Sequence, residues 1–555
     1  MDAVTEPPGP SEPGPSEPGN QPGNEPINEP VLRYAPGSPE RRELDAALAE
    51  LAREPWDFTQ TIGGVERIGS GSPREVVVPH RHAQVLGTLR EATRTDVTDA
   101  VNAARVAAPA WRDLGFDDRA AIFLRAADLL AGPWRARLNA ATMLGQSKTA
   151  DQAEIDAACE LADFWRFNVA FARRIQSEPL LSAPGASNRF DHRPLEGFVL
   201  AITPFNFTSI AGNLPTAPAL LGNTVVWKPS PTQQFSAHLT MRLLEAAGLP
   251  PGVINLVTGS GAAVSEVAVV HRDLAGIHFT GSTTTFRRLW RTVADGLESY
   301  ATYPRLVGET GGKDFVVAHP SADPGALATG LIRGAFEYQG QKCSAASRAY
   351  VPRSLWEGGL AERLVSDVEK LVYGDVTDPA VFGGAVIDRR AYDRLCAALT
   401  RLRAEPSVTT LAGGRGDDEL GFFVAPTVAV GEQPGHELFT TEFFGPVLGV
   451  HVYDDRARGS FGAVLDLIDA SSPYGLTGSV FALDPDALAT ATHRLRFAAG
   501  NFYINDKPTG AVVGHQPFGG GRASGTNDKA GSPLNLVRWL SPRVIKETFD
   551  PPTSL

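Results

Sequence analysis

The sequence has few cysteines and no long apolar run. Only three cysteines occur among its 555 residues, Cys159, Cys343 and Cys396, and no two of them have CxxC spacing. This content argues against a disulfide framework and is typical of a reducing compartment. No apolar run approaches the ~18 residues of a membrane-spanning helix, so no membrane span is expected. No metal site is expected either.

Basic charge is also in short supply. The chain has 51 lysines and arginines against 63 aspartates and glutamates, which gives a net charge of −12. A general role in binding nucleic acid or an anionic membrane is therefore disfavoured. The N-terminus is acidic and lacks the apolar centre of a secretory signal, so the cytoplasm is the expected compartment.

The N-terminal stretch differs from the rest of the chain. Residues 6–30 are low-complexity sequence rich in proline, glycine, serine and glutamate, with Ile27 as their only large apolar residue. Such a composition cannot bury enough apolar surface to fold. We therefore predict a disordered tail over 1–37 that lies outside the fold, with a docking role as the alternative. The remainder is long enough for two or three domains.

Strand and helix patterns then alternate in two sets. Alternation of this length predicts an α/β fold in which parallel sheets carry helices on both faces. Ligands of such sheets bind beyond the carboxyl ends of the strands. The predicted strands are 198–202, 224–227, 253–257 and 277–280 in the first set, and 315–318, 349–351, 447–452, 479–482 and 501–504 in the second.

The second set carries a cysteine in a notable place. A helical pattern over 326–338 is broken by Gly340, and Cys343 follows on the loop before a predicted strand. A cysteine held there can face a cleft. A free thiol has a pKa of roughly 8.5, which a neighbouring cation lowers, and Lys342 is that cation in the sequence. A small buried core cysteine is the ordinary alternative.

Three other runs surround this loop. They are Glu-Thr-Gly-Gly-Lys at 309–313, Pro-Phe-Asn-Phe at 204–207 and Glu-Phe-Phe-Gly-Pro-Val at 442–447. Taken in chain order together with the Cys343 loop, these runs resemble the aldehyde dehydrogenase superfamily, over about residues 41–547. The resemblance implies a Rossmann-type NAD-binding domain, a catalytic α/β domain and a small β flap that pairs subunits into a homodimer or dimer-based oligomer. The implied bounds are 38–178 and 195–311 for the first, 312–530 for the second, and 179–194 and 531–555 for the flap.

The resemblance also implies catalytic roles. Cys343 matches the nucleophile. Asn206 matches the side chain that, with the Cys343 backbone N–H, stabilises the oxyanion, and Glu309 matches the general base. The ordinary alternatives are a turn residue for Asn206 and a surface acid for Glu309.

The implied cofactor is NAD. The sequence differs from the family pattern at two positions near the expected cofactor contacts. Pro231 stands where many members have a glutamate, and Phe286 stands where they usually have a glycine. Ser230 would then take over the ribose contact, and the phosphate geometry is less well defined. The implied contacts are Lys228 and Ser230 for the adenosine ribose, Gly281 and Ser282 for the pyrophosphate, and Glu442 and Phe444 for the nicotinamide ribose and ring. A solvated acid before a strand is the alternative for Glu442.

Further runs at 152–157, 204–208, 341–344, 500–507, 516–520 and 524–529 resemble the Δ1-pyrroline-5-carboxylate dehydrogenase branch of the superfamily. The resemblance implies oxidation of L-glutamate γ-semialdehyde to L-glutamate in proline degradation. Some relatives have a hydroxyl residue in place of Ala511 or Pro508. The implied substrate contacts are Ser344, Gly510, Ala511 and Lys342 for the carboxylate, Glu160 for the amine, and Phe207 and Phe518 for the aliphatic stem. An exposed helix charge and plain core packing are the alternatives for Glu160 and for the two phenylalanines.

Two other functions remain as alternatives. One is a dehydrogenase for another semialdehyde. The other is a catalytically retired structural member, which should have lost Cys343, Asn206 or Glu442, although all three are present. A bifunctional proline-oxidising protein is disfavoured by length, whereas a separate proline dehydrogenase is a conceivable partner.

Overall fold

The computed structural model describes residues 25–554. Two seven-stranded sheets organise these residues, and helices cover both faces of each. The predicted α/β architecture is confirmed. No helix among residues 25–554 is long and apolar enough to cross a membrane.

The helices begin where capping residues stand and bury one face. Helix α2 starts after Thr93, which forms a reciprocal capping box with Asp96, and it buries residues at helical spacing such as Val97, Ala100 and Ala104. The helices are α1 Pro39–Leu51, α2 Arg94–Asp113, α3 Phe116–Ala131, α4 Arg135–Gln146, α5 Ala150–Ala153, α6 Leu161–Ser177, α7 Thr208–Leu220, α8 Gln234–Ala246, α9 Gly261–Val267, α10 Thr283–Asp295, α11 Pro324–Phe336, α12 Arg353–Leu355, α13 Ala361–Glu369, α14 Arg389–Ala404, α15 Glu437–Thr440, α16 Ser460–Ala470, α17 Pro485–Arg494 and α18 Pro533–Leu536.

The central strands are buried on both faces, as expected for parallel strands between two helical layers. The strands are β1 Trp56–Phe58, β2 Gln60–Ile62, β3 Val65–Arg67, β4 Pro73–Val78, β5 Arg81–Arg90, β6 Ala186–Pro194, β7 Phe198–Ile202, β8 Thr224–Lys228, β9 Ile254–Leu256, β10 Leu274–Thr280, β11 Arg305–Glu309, β12 Asp314–Ala318, β13 Ala346–Pro352, β14 Val408–Ala412, β15 Gly416–Asp417, β16 Phe423–Val424, β17 Thr427–Gly431, β18 Val447–Tyr453, β19 Tyr474–Gly475, β20 Thr477–Phe481, β21 Asn501–Ile504, β22 Gly521–Arg522 and β23 Leu540–Thr548.

The first large sheet has the order β11-β10-β7-β8-β9-β2-β3. Strands β11, β10, β7, β8 and β9 are parallel, and β2 joins them antiparallel at the edge. The register places Thr280 opposite Glu309, and Ile202 opposite both Phe279 and Lys228. The carboxyl ends of β7, β8, β10 and β11 therefore meet at one edge.

The second large sheet has the order β14-β17-β18-β13-β12-β20-β21. All neighbouring pairs from β17 to β21 are parallel, and β14 is the antiparallel edge. Away from both sheets, β6 and β23 form an antiparallel ladder between residues 186–194 and 540–548. These two segments lie within 179–194 and 531–555, the ranges expected for the flap, and the flap itself stays a prediction.

Residues 25–37 are packed against the protein. Asn28 donates to Asp163, Glu29 pairs with Arg135 and Arg166, and Tyr34 is buried. The prediction of a disordered tail outside the fold is therefore wrong for this part, because specific hydrogen bonds and ion pairs compensate for its low apolar content. The rest of the predicted tail, 1–24, lies outside the described residues.

The helical stretch from α5 to α6 is not uniform. Residues Glu154–Glu160 form a π-helical segment between α5 and α6. Such wide turns frequently mark functional sites, and this one ends at Glu160.

Candidate active site

Cys343 lies on a constrained loop between α11 and β13. Tyr338 and Gln339 adopt left-handed backbone conformations, with φ of 51° and 54°, and Gly340 continues the turn with φ of 63°. A Cβ at Gly340 would collide with the carbonyl of Gly445, so only glycine lets the two loops approach this closely. The strained turn thus holds the Cys343 loop against the loop before β18.

The Cys343 thiol is buried among acids. Burial raises its pKa well above the ordinary value, and the carboxylates of Asp314, Glu442 and Glu309 raise it further. The expectation that Lys342 lowers this pKa is wrong. The Lys342 ammonium is instead paired with Glu337, at 3.2 Å from its Oε2.

Asn206 reaches the same loop from the first sheet. It follows β7, its side chain is 3% exposed, and its Nδ2 donates to the carbonyl of Gln341 at 3.0 Å. An amide donor thus lies two residues from the thiol along the loop. This is the neighbourhood that oxyanion stabilisation requires.

Glu309 ends β11 and faces a glycine-rich loop. Its Oε2 accepts from the Gly520 N–H at 3.1 Å, and a Cβ at Gly525 would lie 3.2 Å from its Cδ. Burial raises the pKa of this carboxyl well above its usual range, although the Gly520 N–H and Lys529 oppose the shift. The alternative of a surface acid is wrong.

Lys228 is the last residue of β8, and Ser230 lies two residues beyond it. The buried Lys228 ammonium donates to the carbonyls of Pro229 and Gly259 at 3.1 and 3.4 Å. Burial lowers its pKa to about 8. Ser230 Oγ lies 3.1 Å from Thr232 Oγ1, so these two hydroxyls form a hydrogen bond with each other.

The turn after β10 is built around an aromatic pair. Ser282 accepts from the Thr285 N–H at 3.3 Å and caps α10, while Gly281 N donates to the Glu309 carbonyl. Phe286, on the inner face of α10, stacks on Phe279 with centroids 5.4 Å apart. The phenylalanine at the family's glycine position therefore packs into the core.

Glu442, on the loop before β18, contacts the glycines that follow β11. Its Oε1 accepts from the Gly312 N–H at 2.9 Å, and a Cβ at Gly311 would collide with its carboxylate. Burial raises its pKa, so the solvated-acid alternative is wrong. Phe444 has a left-handed backbone with φ of 54° and packs edge-on against Phe205.

The residues expected for a carboxylate cradle are together. Ser344 Oγ lies 2.8 Å from Thr509 Oγ1, and Gly510 follows with φ of 93°. Ala511 comes next on the same partly buried loop. Lys342 is committed to Glu337, so its charge is already partly compensated.

Glu160 lies at the end of the π-helical segment. It accepts from the Ser209 hydroxyl at 3.1 Å, and burial together with Asp156 raises its pKa to about 8. The exposed-charge alternative is therefore wrong. Phe518 is partly buried, and its backbone pairs with Ala530.

Lys148 is a residue that the sequence reasoning missed. Its buried ammonium lies 2.6 Å from Asp156 Oδ2, 4.1 Å from the Phe207 ring centroid and 4.4 Å from that of Tyr338. Asp156 also accepts from the backbone N–H groups that begin α7. Asp156 stands inside a motif run that resembled the family, and that position was the available signal.

Comparison with known proteins identifies the family. The aldehyde dehydrogenase family model matches residues 68–544. The chain belongs to the aldehyde dehydrogenase family. This membership confirms the expected fold and the expected class of enzyme.

Individual relatives of this aldehyde dehydrogenase share one name. Delta-1-pyrroline-5-carboxylate dehydrogenase of Agaricus bisporus is 48% identical over 521 residues, 94% of each chain. The mitochondrial human protein of that name is 46% identical over 522 residues, 94% of this chain and 92% of its own. The crystal structure of the Mycobacterium tuberculosis protein of that name, bound with NAD, has a TM-score of 0.92 and 59% identity, and the match covers 100% of this chain and 98% of that chain.

As an aldehyde dehydrogenase, the chain combines a thiol, an amide donor and a carboxyl in one buried place. A thiol can add to an aldehyde carbon, an amide can stabilise the resulting oxyanion, and a carboxylate can accept a proton from water. Cys343, Asn206 and Glu309 lie in one neighbourhood, since Asn206 bonds Gln341 on the Cys343 loop and the Glu309 carboxylate acts on the thiol.

Proposed function

We propose that this enzyme oxidises L-glutamate γ-semialdehyde, the hydrated and opened form of Δ1-pyrroline-5-carboxylate, to L-glutamate with NAD. The observation that carries the proposal is the Ser344–Thr509 pair beside Gly510 and Ala511, in a site that also contains the partly buried Glu160. Such a set of donors and an acid suits an amino-acid end rather than an aliphatic one. The names of the relatives support the same substrate.

The residues at the edge of the first sheet fit NAD. The Lys228 ammonium is buried with only carbonyl oxygens as its described hydrogen-bond partners, so it has unused donor capacity for ribose hydroxyls. Ser230 would add a hydroxyl contact. Gly281 and Ser282 at the start of α10 would contact the pyrophosphate, since a helix N-terminus attracts anions. Glu442 and Phe444 would hold the nicotinamide end.

The chemical steps follow from this chain's own residues. Cys343, once deprotonated, adds to the aldehyde carbon, while the Asn206 amide and the Cys343 N–H donate to the developing oxyanion. Oxidation of this adduct to a thioester needs a hydride acceptor, which NAD supplies when bound. Glu309 then takes a proton from the water that hydrolyses the thioester and releases L-glutamate.

Five residues would hold the amino-acid end of the substrate. The Ser344 hydroxyl and the N–H groups of Gly510 and Ala511 would donate to the α-carboxylate. Glu160 would accept from the ammonium, and its raised pKa falls in the range where a cationic neighbour would ionise it. Lys342 would add a weaker, partly compensated positive charge, and Phe207 and Phe518 would flank the methylene stem.

The test compares two aldehydes of equal chain length. We expect kcat/KM for glutamate semialdehyde to exceed that for pentanal by at least about 10²-fold, since sites built to bind a polar group reject analogues without it. Ser344→Ala should reduce this ratio, because it should lower kcat/KM for glutamate semialdehyde and leave kcat/KM for pentanal unchanged. Comparable efficiency for the two aldehydes would overturn the proposed substrate, while a preference for a different semialdehyde would favour the second candidate.

Assembly and compartment are also proposals. The β6–β23 ladder supports pairing of two copies into a homodimer or a dimer-based oligomer, and light scattering during size exclusion would measure the mass. We propose the cytoplasm from the sequence alone, although the human relative is named as mitochondrial. A separate proline dehydrogenase is a proposed partner, to be tested by co-purification at native concentrations.

A further inference from the structure

The segment 25–34, here called the N-terminal strap, touches two parts of the site at once. The Asn28 Nδ2 donates to Asp163 Oδ2 at 2.8 Å and to the Val513 carbonyl at 2.9 Å. Its Oδ1 lies 3.1 Å from the Nε2 of His515. One side chain therefore links helix α6 to the loop that follows Gly510.

The strap is anchored on the helix side by buried charges. Glu29 accepts from both Arg135 and Arg166 at 2.6 Å. The Tyr34 hydroxyl donates to Glu154 at 2.7 Å, and Glu154 is fully buried and paired with Arg135. These contacts tie the strap to α4, to the π-helical segment and to α6.

Both linked parts carry proposed substrate contacts. Glu154 begins the π-helical segment that ends at Glu160, and Asp163 lies one turn further along. On the other side, Gly514 has φ of 83°, and a Cβ there would collide with the Phe167 ring of α6. The loop from Gly510 onward is thus held against α6, with the strap across the junction.

We propose that Asn28 is a positioning residue that sets the separation between Glu160 and the backbone donors of Gly510 and Ala511. The inference rests on the proposed function, since it assigns these groups to the amine and the carboxylate of one substrate. Backbone N–H groups cannot adjust by changing a rotamer. Their placement depends on the loop that carries them, and Asn28 bonds that loop at Val513.

The test is Asn28→Ala in the full-length protein, with kcat and KM measured separately for glutamate semialdehyde and pentanal at saturating NAD. Loss of a typical hydrogen bond corresponds to about 2- to 10-fold in an equilibrium constant. We expect KM for glutamate semialdehyde to rise about 5-fold, kcat to change less than about 2-fold, and kcat/KM for pentanal to stay constant. The control is Ile27→Ala, since the neighbouring Ile27 is 84% exposed.

A second variant keeps the inference testable even if Asn28→Ala fails to fold. His515→Ala removes one partner of Asn28 and leaves the helix side intact, so it should raise the same KM by about 2-fold. Equal losses for both aldehydes, or no change for either, would overturn the inference. If the wild-type enzyme already treats the two aldehydes alike, the proposed substrate itself fails, and this is visible before any variant is made.

Discussion

The two large sheets present opposite ends of their strands to the active site. In the first sheet, Lys228 and Glu309 stand at the carboxyl ends of β8 and β11, and Asn206 and Ser282 follow the carboxyl ends of β7 and β10. In the second sheet, Cys343 precedes the amino end of β13, and residues 442–444 precede that of β18. The chemistry therefore lies where the carboxyl edge of one sheet meets the amino edge of the other.

This difference limits what a rule about parallel sheets can find. Ligands of open α/β sheets bind beyond the carboxyl ends of strands, and the rule locates the proposed cofactor residues. It would not have located the thiol. The hydrogen bonds from Asn206 to Gln341 and from Gly312 to Glu442 join the two edges, so each sheet completes the site of the other.

Removal of the thiol from the amino edge should have the largest effect. We expect Cys343→Ala to abolish NADH formation while NAD binding, followed by fluorescence titration, stays nearly intact because the proposed cofactor residues lie on the other edge. Cys396→Ala is the matched control, since Cys396 lies on α14. Equal loss of activity in both variants would contradict the assignment.

Removal of the Asn206 side-chain amide, at the carboxyl edge of the first sheet, should have the second-largest effect on activity. Asn206→Ala should lower kcat by about 10²–10³-fold, the usual cost of losing one oxyanion donor. Asn188→Ala serves as a control, because Asn188 is partly exposed on β6 and bonds Leu181. Wild-type kcat in Asn206→Ala would contradict the assignment of Asn206 as an oxyanion donor.

A weaker contact between Glu442 and the Gly312 N–H, which joins the edges of the two sheets, should reduce activity less. Glu442→Gln should slow hydride transfer by up to about 10²-fold, because a displacement of about 1 Å in a reacting group can cost that much. Single-turnover NADH formation measures this step, and Glu437→Gln, which affects an ion pair with Arg401, is the control. An unchanged single-turnover rate would refute the role of Glu442.

The smallest effect concerns the pH dependence of the thiol. Since the pKa of Cys343 is raised by burial and by carboxylates from both sheets, its thiolate fraction in the cofactor-free protein should grow as pH rises past the range of ordinary thiols. Alkylation by iodoacetamide should therefore accelerate by up to about 10-fold per pH unit, with Cys343→Ser as the control. Glu309→Gln removes one of these charges and should shift the profile to lower pH. A profile centred below pH 8 would contradict the raised pKa.

The sequence predicted the elements that depend on local pattern. The nine predicted strands overlap observed strands and the chain turns at Gly340 as expected, whereas β11, β14 and β17 of the large sheets were not predicted. Local patterns determine such elements because each depends on neighbours in the chain. The Gly-Gly run at 311–312 differs, since side chains there would meet Glu442 and the Cys343 carbonyl, which are distant in the sequence.

Contacts between distant residues escaped prediction. Composition made residues 25–37 look disordered, yet Asn28 and Glu29 find partners more than a hundred positions away. Adjacency suggested that Lys342 assists the thiol, although the side chain turns to Glu337. The run that contains Asp156 was the available signal for Lys148, whose place beside the rings of Phe207 and Tyr338 depends on residues distant in the sequence.

The hydrogen bond between Glu309 and Gly520 also bears on how the protein is made. Its two partners are 211 positions apart, and Thr310 and Gly308 likewise bond residues 524 and 526. A ribosome therefore finishes the first sheet long before it synthesises the loop that covers the end of that sheet. A chain that terminates early, before this loop, carries the nucleophile and lacks the backbone that holds its carboxyl partner, so truncated products should be inactive even where most of their helices and strands have formed.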